Sequence, residues 1–253
     1  MSDPRDPRDP SDPTTPPGTP PPPASPVPAT PILIERHRLG LGMLRSQVEM
    51  DPSHSLTRIL SAAPRPKKRT RRIPWVGDQG STEHCVGFSW YGFLRASPHG
   101  ITFKGGPDAI YTGAQDYDEF PGKEPEMYGS SVRGGARFLL ADPRTDLARY
   151  HWAHSVDQVL DWIGSDKGSP VIVGTDWTRS MFRPDSSGLV KVEGPIIGGH
   201  AWLLVGYDDK KKLALGQSSW GRGWGRNGRF WLTYSDLDKL LRAQGEACVA
   251  TRA

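Results

Sequence analysis

Apolar and polar positions change rhythm twice along this chain. Residues 1–31 show no apolar period, and 3–13 repeat Asp-Pro-Arg-like triplets. From 85 to 96 nearly every position is apolar or small: Val86, Phe88, Tyr91, Phe93 and Leu94, with Gly87, Ser89 and Gly92 between them. That pattern predicts a buried helix, ended by Ser97-Pro98 or His99-Gly100. A second short helix is predicted over 108–117. Ser131 is a candidate N-cap for a third, running to about Leu140, and Ser155 for a fourth, with Val156, Val159, Leu160 and Ile163 at helical spacing. The rhythm then shortens: 170–174, 201–206, 212–215 and 229–233 read as strands. Helices first and strands later predict an α+β fold.

Composition divides the chain near residue 72. Of its 25 prolines, 13 fall in residues 1–31, while all nine tryptophans lie beyond 72. Residues 1–72 carry 12 Lys+Arg against 7 Asp+Glu, a net of +5, and the remainder carries 20 against 21, a net of −1. The basic character therefore belongs to the N-terminal part and gives no reason to expect an acidic substrate. Residues 1–31 read as a disordered Pro-rich tail, with a polyproline ligand as the alternative. Residues 32–72 read as an N-terminal arm: Leu39, Leu41, Met43, Leu44, Leu56 and Ile59 are apolar enough to dock on a domain, partly as short helices. The run Arg65-Pro-Lys-Lys-Arg-Thr-Arg-Arg72 reads as a solvated basic linker. No aromatic residues interleave it, so nucleic-acid binding is not expected. Residues 73–253 are left as the principal domain.

Two segments 115 residues apart carry candidate chemistry. Cys85 stands at the apparent start of the first helix, with Gln79 six residues upstream; His200 opens the apolar strand 201–206 after Gly198-Gly199. A thiol at a helix N-terminus gains thiolate character from the helix dipole, and a histidine across from it can act as base. Gln79 is a candidate oxyanion donor. Taken singly, Cys85 could be a small buried hydrophobe, His200 a satisfied core histidine and Gln79 a turn residue. His84 adjoins the cysteine but points about 100° away on a helix, so it is expected at a cleft rim. No His/Cys spacing suggests a metal site, and no cofactor is expected.

These segments resemble the papain-like cysteine peptidases. Gln79, Gly80, Cys85, Phe88 and Ser89 match the family's Q-G-x-x-x-x-C-x-x-F-[SA], and His200, Ala201, Val205, Gly206 and Tyr207 match H-A-x-x-x-V-G-Y. A third block, Gln217 to Phe230, resembles N-S-W-G-x-x-W-G-x-x-G-[YF], and the order of the three is the family's order. The resemblance covers residues 73 to 245. It implies a two-lobed fold, a helical left lobe and an antiparallel β-rich right lobe with the cleft between them. It also implies a cysteine-type endopeptidase: Cys85 as nucleophile, His200 as base and then acid, Gln79 with the Cys85 amide as oxyanion donors, and Trp220 shielding the histidine. The family's histidine-orienting Asn falls on Ser218, a shorter and less directional partner; neighbouring Gln217 is an alternative orienter. Gly129, Ser130, Gly199 and Trp220 are the implied substrate-binding residues, and Trp177, Met181 and Phe182 are candidates for a pocket wall or for core. In this family an N-terminal propeptide runs through the cleft, and residues 32–60 are a candidate for that role.

With only Cys85 and Cys248 in the chain, no disulfide is expected. Where secreted members of the family usually carry a cysteine three residues before the nucleophile, this chain has Thr82. No apolar signal region follows Met1, and no apolar run reaches the ~18 residues a membrane span needs. The expectation is a cytoplasmic, monomeric protein acting on a peptide or protein, with no membrane partner. Packaging in a phage particle or non-classical export are the alternatives for location. Two rival functions remain at this stage: a non-catalytic scaffold on a degenerate papain-like fold, favoured by Ser218, and an acyl transferase in which an amine replaces water.

Overall fold

The left half of the chain is helical for local reasons. The computed structural model describes residues 39–46 and 52–252, so the Pro-rich tail 1–31 and the apolar residues Ile32, Leu33, Ile34 and Val48 lie outside the described residues. After strand β1 (Met43–Leu44) and two short 3-10 turns, β2 (Lys68–Thr70) leads to α1 (Cys85–Arg95), in which Cys85 to Leu94 are all buried. Helix α2 (Gly106–Tyr117) starts after Gly105 at φ 89° with a proline at its first turn. Ser131 caps α3 (Val132–Ala141), its hydroxyl accepting from Gly134 N–H at 2.9 Å, with the short strand β3 (Ser130–Ser131) leading into it. Small residues let these helices approach: a side chain at Gly87 would meet Tyr111, and one at Gly135 would meet the Trp90 ring. Ser155 caps α4 (Val156–Gly164) in the same manner as Ser131, accepting from Gln158 N–H.

The right half is one seven-stranded sheet in the order β4-β9-β5-β6-β7-β8, with β2 added on β6. Its strands are β4 (Leu147–Trp152), β5 (Val171–Thr178), β6 (Ile196–Asp208), β7 (Leu213–Gln217), β8 (Arg229–Thr233) and β9 (Glu246–Arg252), and every pairing within it is antiparallel. Helix α5 (Tyr234–Arg242) is capped by Thr233 and buries Leu237 and Leu240. The long strand β6 is the spine: it pairs with β5, β7 and β2, and α1 packs against it. The α+β fold, a helical region beside an antiparallel sheet, is the expected one. No helix among the described residues is long and apolar enough to cross a membrane.

The basic run is not a solvated linker. Lys68–Thr70 is a strand paired with Gly206–Asp208, and the Arg65 guanidinium reaches Asp161 at 2.6 Å, Asp209 at 3.1 Å and Asp157 at 3.2 Å. Arg71 donates to the Ile163 carbonyl at 2.9 Å. Arg65 is thus spent on carboxylates of α4 and of the residue after β6, while Arg69 and Arg71 meet carbonyls at the C-terminal end of α4, where positive charge is favoured. Leu56, upstream of the run, is fully buried in the core.

One buried polar group has a measurable cost. His99, 9 % exposed, packs its ring 4.5 Å from Phe93, and neither ring nitrogen has a hydrogen-bond partner among the described residues. Burial, with Arg252 nearby, holds its pKa down to about 4. A histidine held below its unfolded pKa of about 6.5 is fully compatible with the fold above that value, and stability is lost as pH falls from about 6.5 toward 4. His99→Phe is expected to raise the melting temperature at pH 7 and to flatten its decline between pH 6.5 and 4.5. Thermal melts across that range check this; an undiminished slope would show that His99 carries none of it.

Candidate active site

The thiol is placed by the start of α1. Cys85 is the first residue of the helix, with His84 as N-cap at φ −85° and ψ 14°. Its Sγ receives the Ala201 N–H at 3.4 Å. Ala201 follows His200 on β6, so the packing of α1 on β6 brings the thiol to the backbone next to His200. His200 Nε2 lies 3.0 Å from Ser218 Oγ, and its Nδ1 is buried without a hydrogen-bond partner among the described residues. Trp220 stacks on the His200 ring at 4.3 Å and 15°, and Trp177 meets it edge-on at 5.0 Å. The imidazole is thus fixed in plane by two indoles and a hydroxyl.

Gln79 is built in as firmly. Its N–H donates to the Ser219 carbonyl at 2.7 Å, and its Oε1 accepts from the Ser219 hydroxyl. Its Nε2 donates to the Thr82 carbonyl at 2.6 Å and to the Gly40 carbonyl at 3.3 Å. Ser218 and Ser219 thus hold two different members of the site from adjacent positions. Gln217 does not orient the histidine: its side-chain amide donates to the Trp75 carbonyl at 3.0 Å and its oxygen accepts from Arg229 at 3.4 Å. His84 turns away from the thiol. It pairs with Asp108 at 2.7 Å and Glu124 at 3.1 Å while stacking on Tyr111. Trp177, Met181 and Phe182 are buried in the core.

The expected substrate-binding residues all touch one segment of the chain itself. The Gly40 N–H donates to the Gly80 carbonyl at 2.8 Å, and its carbonyl accepts from Trp220 Nε1 at 3.0 Å as well as from Gln79. The Gly42 N–H donates to the Gly199 carbonyl at 3.1 Å, and the Gly42 carbonyl accepts from Ser130 N–H at 3.0 Å. Met43–Leu44 then pairs in parallel with Ser130–Ser131. The fit requires missing side chains on both walls. A Cβ on Gly40 would collide with the Thr82 carbonyl oxygen, one on Gly42 with that of Glu83, and one on Gly199 with that of Met43; Gly129, at φ 90°, would meet the Gly42 carbonyl. The alternation Leu39-Gly40-Leu41-Gly42-Met43 is the sequence signal for this path.

Under that cover Cys85 and His200 are both 0 % exposed. Burial pushes the Cys85 thiol up to about 12, although the backbone N–H groups of Ala201, Val86 and Cys85 itself oppose the rise, and burial pushes His200 down to about 3. The helix N-terminus was expected to favour thiolate. It does pull that way, and here desolvation outweighs it. The closed site therefore holds a neutral thiol and a neutral imidazole. Cys248 is a second buried free thiol, whose pKa burial also raises.

This arrangement, a thiol at the head of a helix packed on the sheet strand that carries the histidine, is set in the fold of the papain-like cysteine proteases. Among solved structures the chain is similar to xylellain, a cysteine protease from Xylella fastidiosa, with a TM-score of 0.63 and 20% identity over 88% of this chain and 99% of that one. It is also similar to procathepsin B S9 from Trypanosoma congolense, with a TM-score of 0.59 and 10% identity over 85% of this chain and 86% of that one. The bromelain protease from Ananas comosus, solved with the E64 inhibitor, aligns with a TM-score of 0.55 and 14% identity over 74% of this chain and all (100%) of that one. No protein-family model and no curated sequence relative matches the chain.

Proposed function

We propose that the protein is a cysteine-type endopeptidase, held closed by its own residues 39–46. The observation that carries the reading is the Cys85–His200–Ser218 arrangement: a thiol at a helix start receiving the N–H of the residue after His200, and an imidazole with one nitrogen on Ser218 and the other without a partner among the described residues. With the cleft open, His200 Nδ1 takes the thiol proton and the thiolate attacks a peptide carbonyl. The oxyanion receives the Gln79 amide, a group that already donates to the Gly40 carbonyl in the closed state. The proton on His200 passes to the leaving amine, which departs as the acyl group stays on Cys85 as a thioester. Water, deprotonated by His200, hydrolyses the thioester and restores the thiol.

Opening does not require truncation. Gly40→Ala with Gly42→Ala in the full-length chain places two methyl groups against the backbone carbonyls of Thr82 and Glu83. That variant is expected to hydrolyse fluorogenic peptides, and its Cys85→Ala form to lose the activity. Added amine acceptors that intercept the acyl group in place of water would instead mark an acyl transferase. No turnover, with Cys85 reacting only as fast as a free thiol, would leave the scaffold reading. Ser218→Ala in the same background removes one hydrogen bond of about 1 kcal/mol. It is expected to lower kcat about fivefold to tenfold with KM little changed, as steady-state kinetics would show; an unchanged kcat would mean that the two indoles alone orient His200.

A further inference from the structure

The segment in the cleft ends in a socket that none of the candidate catalytic residues uses. Beyond Met43, the Arg45 guanidinium reaches Asp176 Oδ2 through Nη2 at 2.5 Å and Gln244 Oε1 through Nη1 at 2.6 Å. The next N–H, of Ser46, donates to Glu246 Oε1 at 2.5 Å. Glu246 is 5 % exposed, and its second oxygen is buried with no hydrogen-bond partner among the described residues. The socket is a property of the sheet: Gly174 on β5 is registered with Glu246 on β9, and Asp176 lies two residues further along β5. The segment matches that spacing. A Cβ on Gly174 would meet the Met43 side chain, while Arg45, two residues on, takes Asp176, two residues on.

We propose that the opened cleft selects peptides carrying arginine, seated in the Asp176–Gln244–Glu246 socket, with an apolar residue two positions away over Gly174. The proposal rests on the peptidase reading for its consequence but not for its test. With residues 39–46 displaced, Asp176 and the Gln244 amide oxygen lose the cation they now hold and Glu246 loses the Ser46 N–H, and a guanidinium supplies several donors to just such acceptors. Side chains alternate along an extended chain whichever way it runs, so a peptide laid in the opposite direction to Met43–Leu44 still presents residues two apart to Gly174 and Asp176.

Binding is measured on the full-length Gly40→Ala/Gly42→Ala/Cys85→Ala chain, which cannot turn over. The probes are fluorescent peptides containing Met-Leu-Arg or Arg-Leu-Met, each paired with a version bearing citrulline, the uncharged isostere of arginine. Arginine peptides of at least one order are expected to bind about tenfold or more tightly than their citrulline partners at low salt, and Asp176→Asn with Glu246→Gln is expected to erase that difference. Equal affinity for arginine and citrulline in both orders would overturn the proposal, as would a preference that survives the double substitution. Hydrolysis of the same peptides by the form retaining Cys85 reports separately on the peptidase reading, so either idea can fail while the other stands.

Discussion

Full-length protein carrying Gly40→Ala and Gly42→Ala is expected to be alkylated at Cys85 about 3000-fold faster at pH 7 than the unaltered chain. The closed thiol is held near 12 by burial, so its thiolate is vanishingly scarce at neutral pH. Returning it merely to the ordinary thiol range near 8.5 raises the thiolate fraction at pH 7 about 3000-fold, before any help from His200. Both substitutions aim at backbone carbonyls, of Thr82 and Glu83, which belong to the turn leading into α1 and cannot swing aside like side chains. Peptide mapping by mass spectrometry separates Cys85 from Cys248, which lies within the sheet and is expected to stay slow in both forms. Equal rates at Cys85 in the altered and unaltered chains would mean that residues 39–46 do not control access.

His200→Ala in the opened background is expected to slow alkylation of Cys85 about 300-fold at pH 6. A thiol without an ionised partner has a pKa near 8.5 and is about 0.3% thiolate at pH 6, whereas one paired with an imidazolium is almost fully ionised there. In the closed state neither member is charged, since His200 is held down to about 3. Opening the cleft hydrates both groups and lets the proton move from sulfur to Nδ1. The loss should shrink as pH rises toward 9, because the free thiol then ionises by itself. A variant as fast as the parent at pH 6 would remove His200 from the mechanism.

The sequence made the local parts of this molecule readable and the long-range parts much less so. Helices α1 to α4 carry their own signals, in the apolar face of 85–96 and the hydroxyl caps at Ser131 and Ser155. Strands β4 and β9 were not anticipated. Arg149 and His151 in one, and Glu246 and Arg252 in the other, interrupt the apolar pattern, and their pairing spans about 100 residues of chain. The basic run was misread because the carboxylates that pair with Arg65 come from α4 and the end of β6, neither of which is visible from a local charge count. At the site, Cys85, His200, Ser218 and Gln79 are brought together, as their spacing and order suggested. Ser218 was the expected orienter with Gln217 as the alternative, and the Gln217 amide donates to the Trp75 carbonyl instead. Residues 32–60, a candidate for a segment running through the cleft, include 39–46, which lie against Gln79, Gly199 and Trp220; what stayed hidden was which groups they meet. The alternating glycines of 39–43 are a local signal, but the groups they approach, Thr82, Glu83 and Ser130, lie some 40 to 90 positions away.

The pH dependence of Cys85 alkylation in the opened full-length chain tests the Cys85–His200 pair most directly. A neutral, uncharged alkylating reagent is used, and the rate is followed from pH 4 to 10. A catalytic pair gives a substantial rate already at pH 5 to 6, a plateau through neutrality, and collapse of the acid side of the profile in His200→Ala. A single rise centred near pH 8.5, identical with and without His200, would show an ordinary thiol and contradict the assignment of Cys85 and His200 as a catalytic pair.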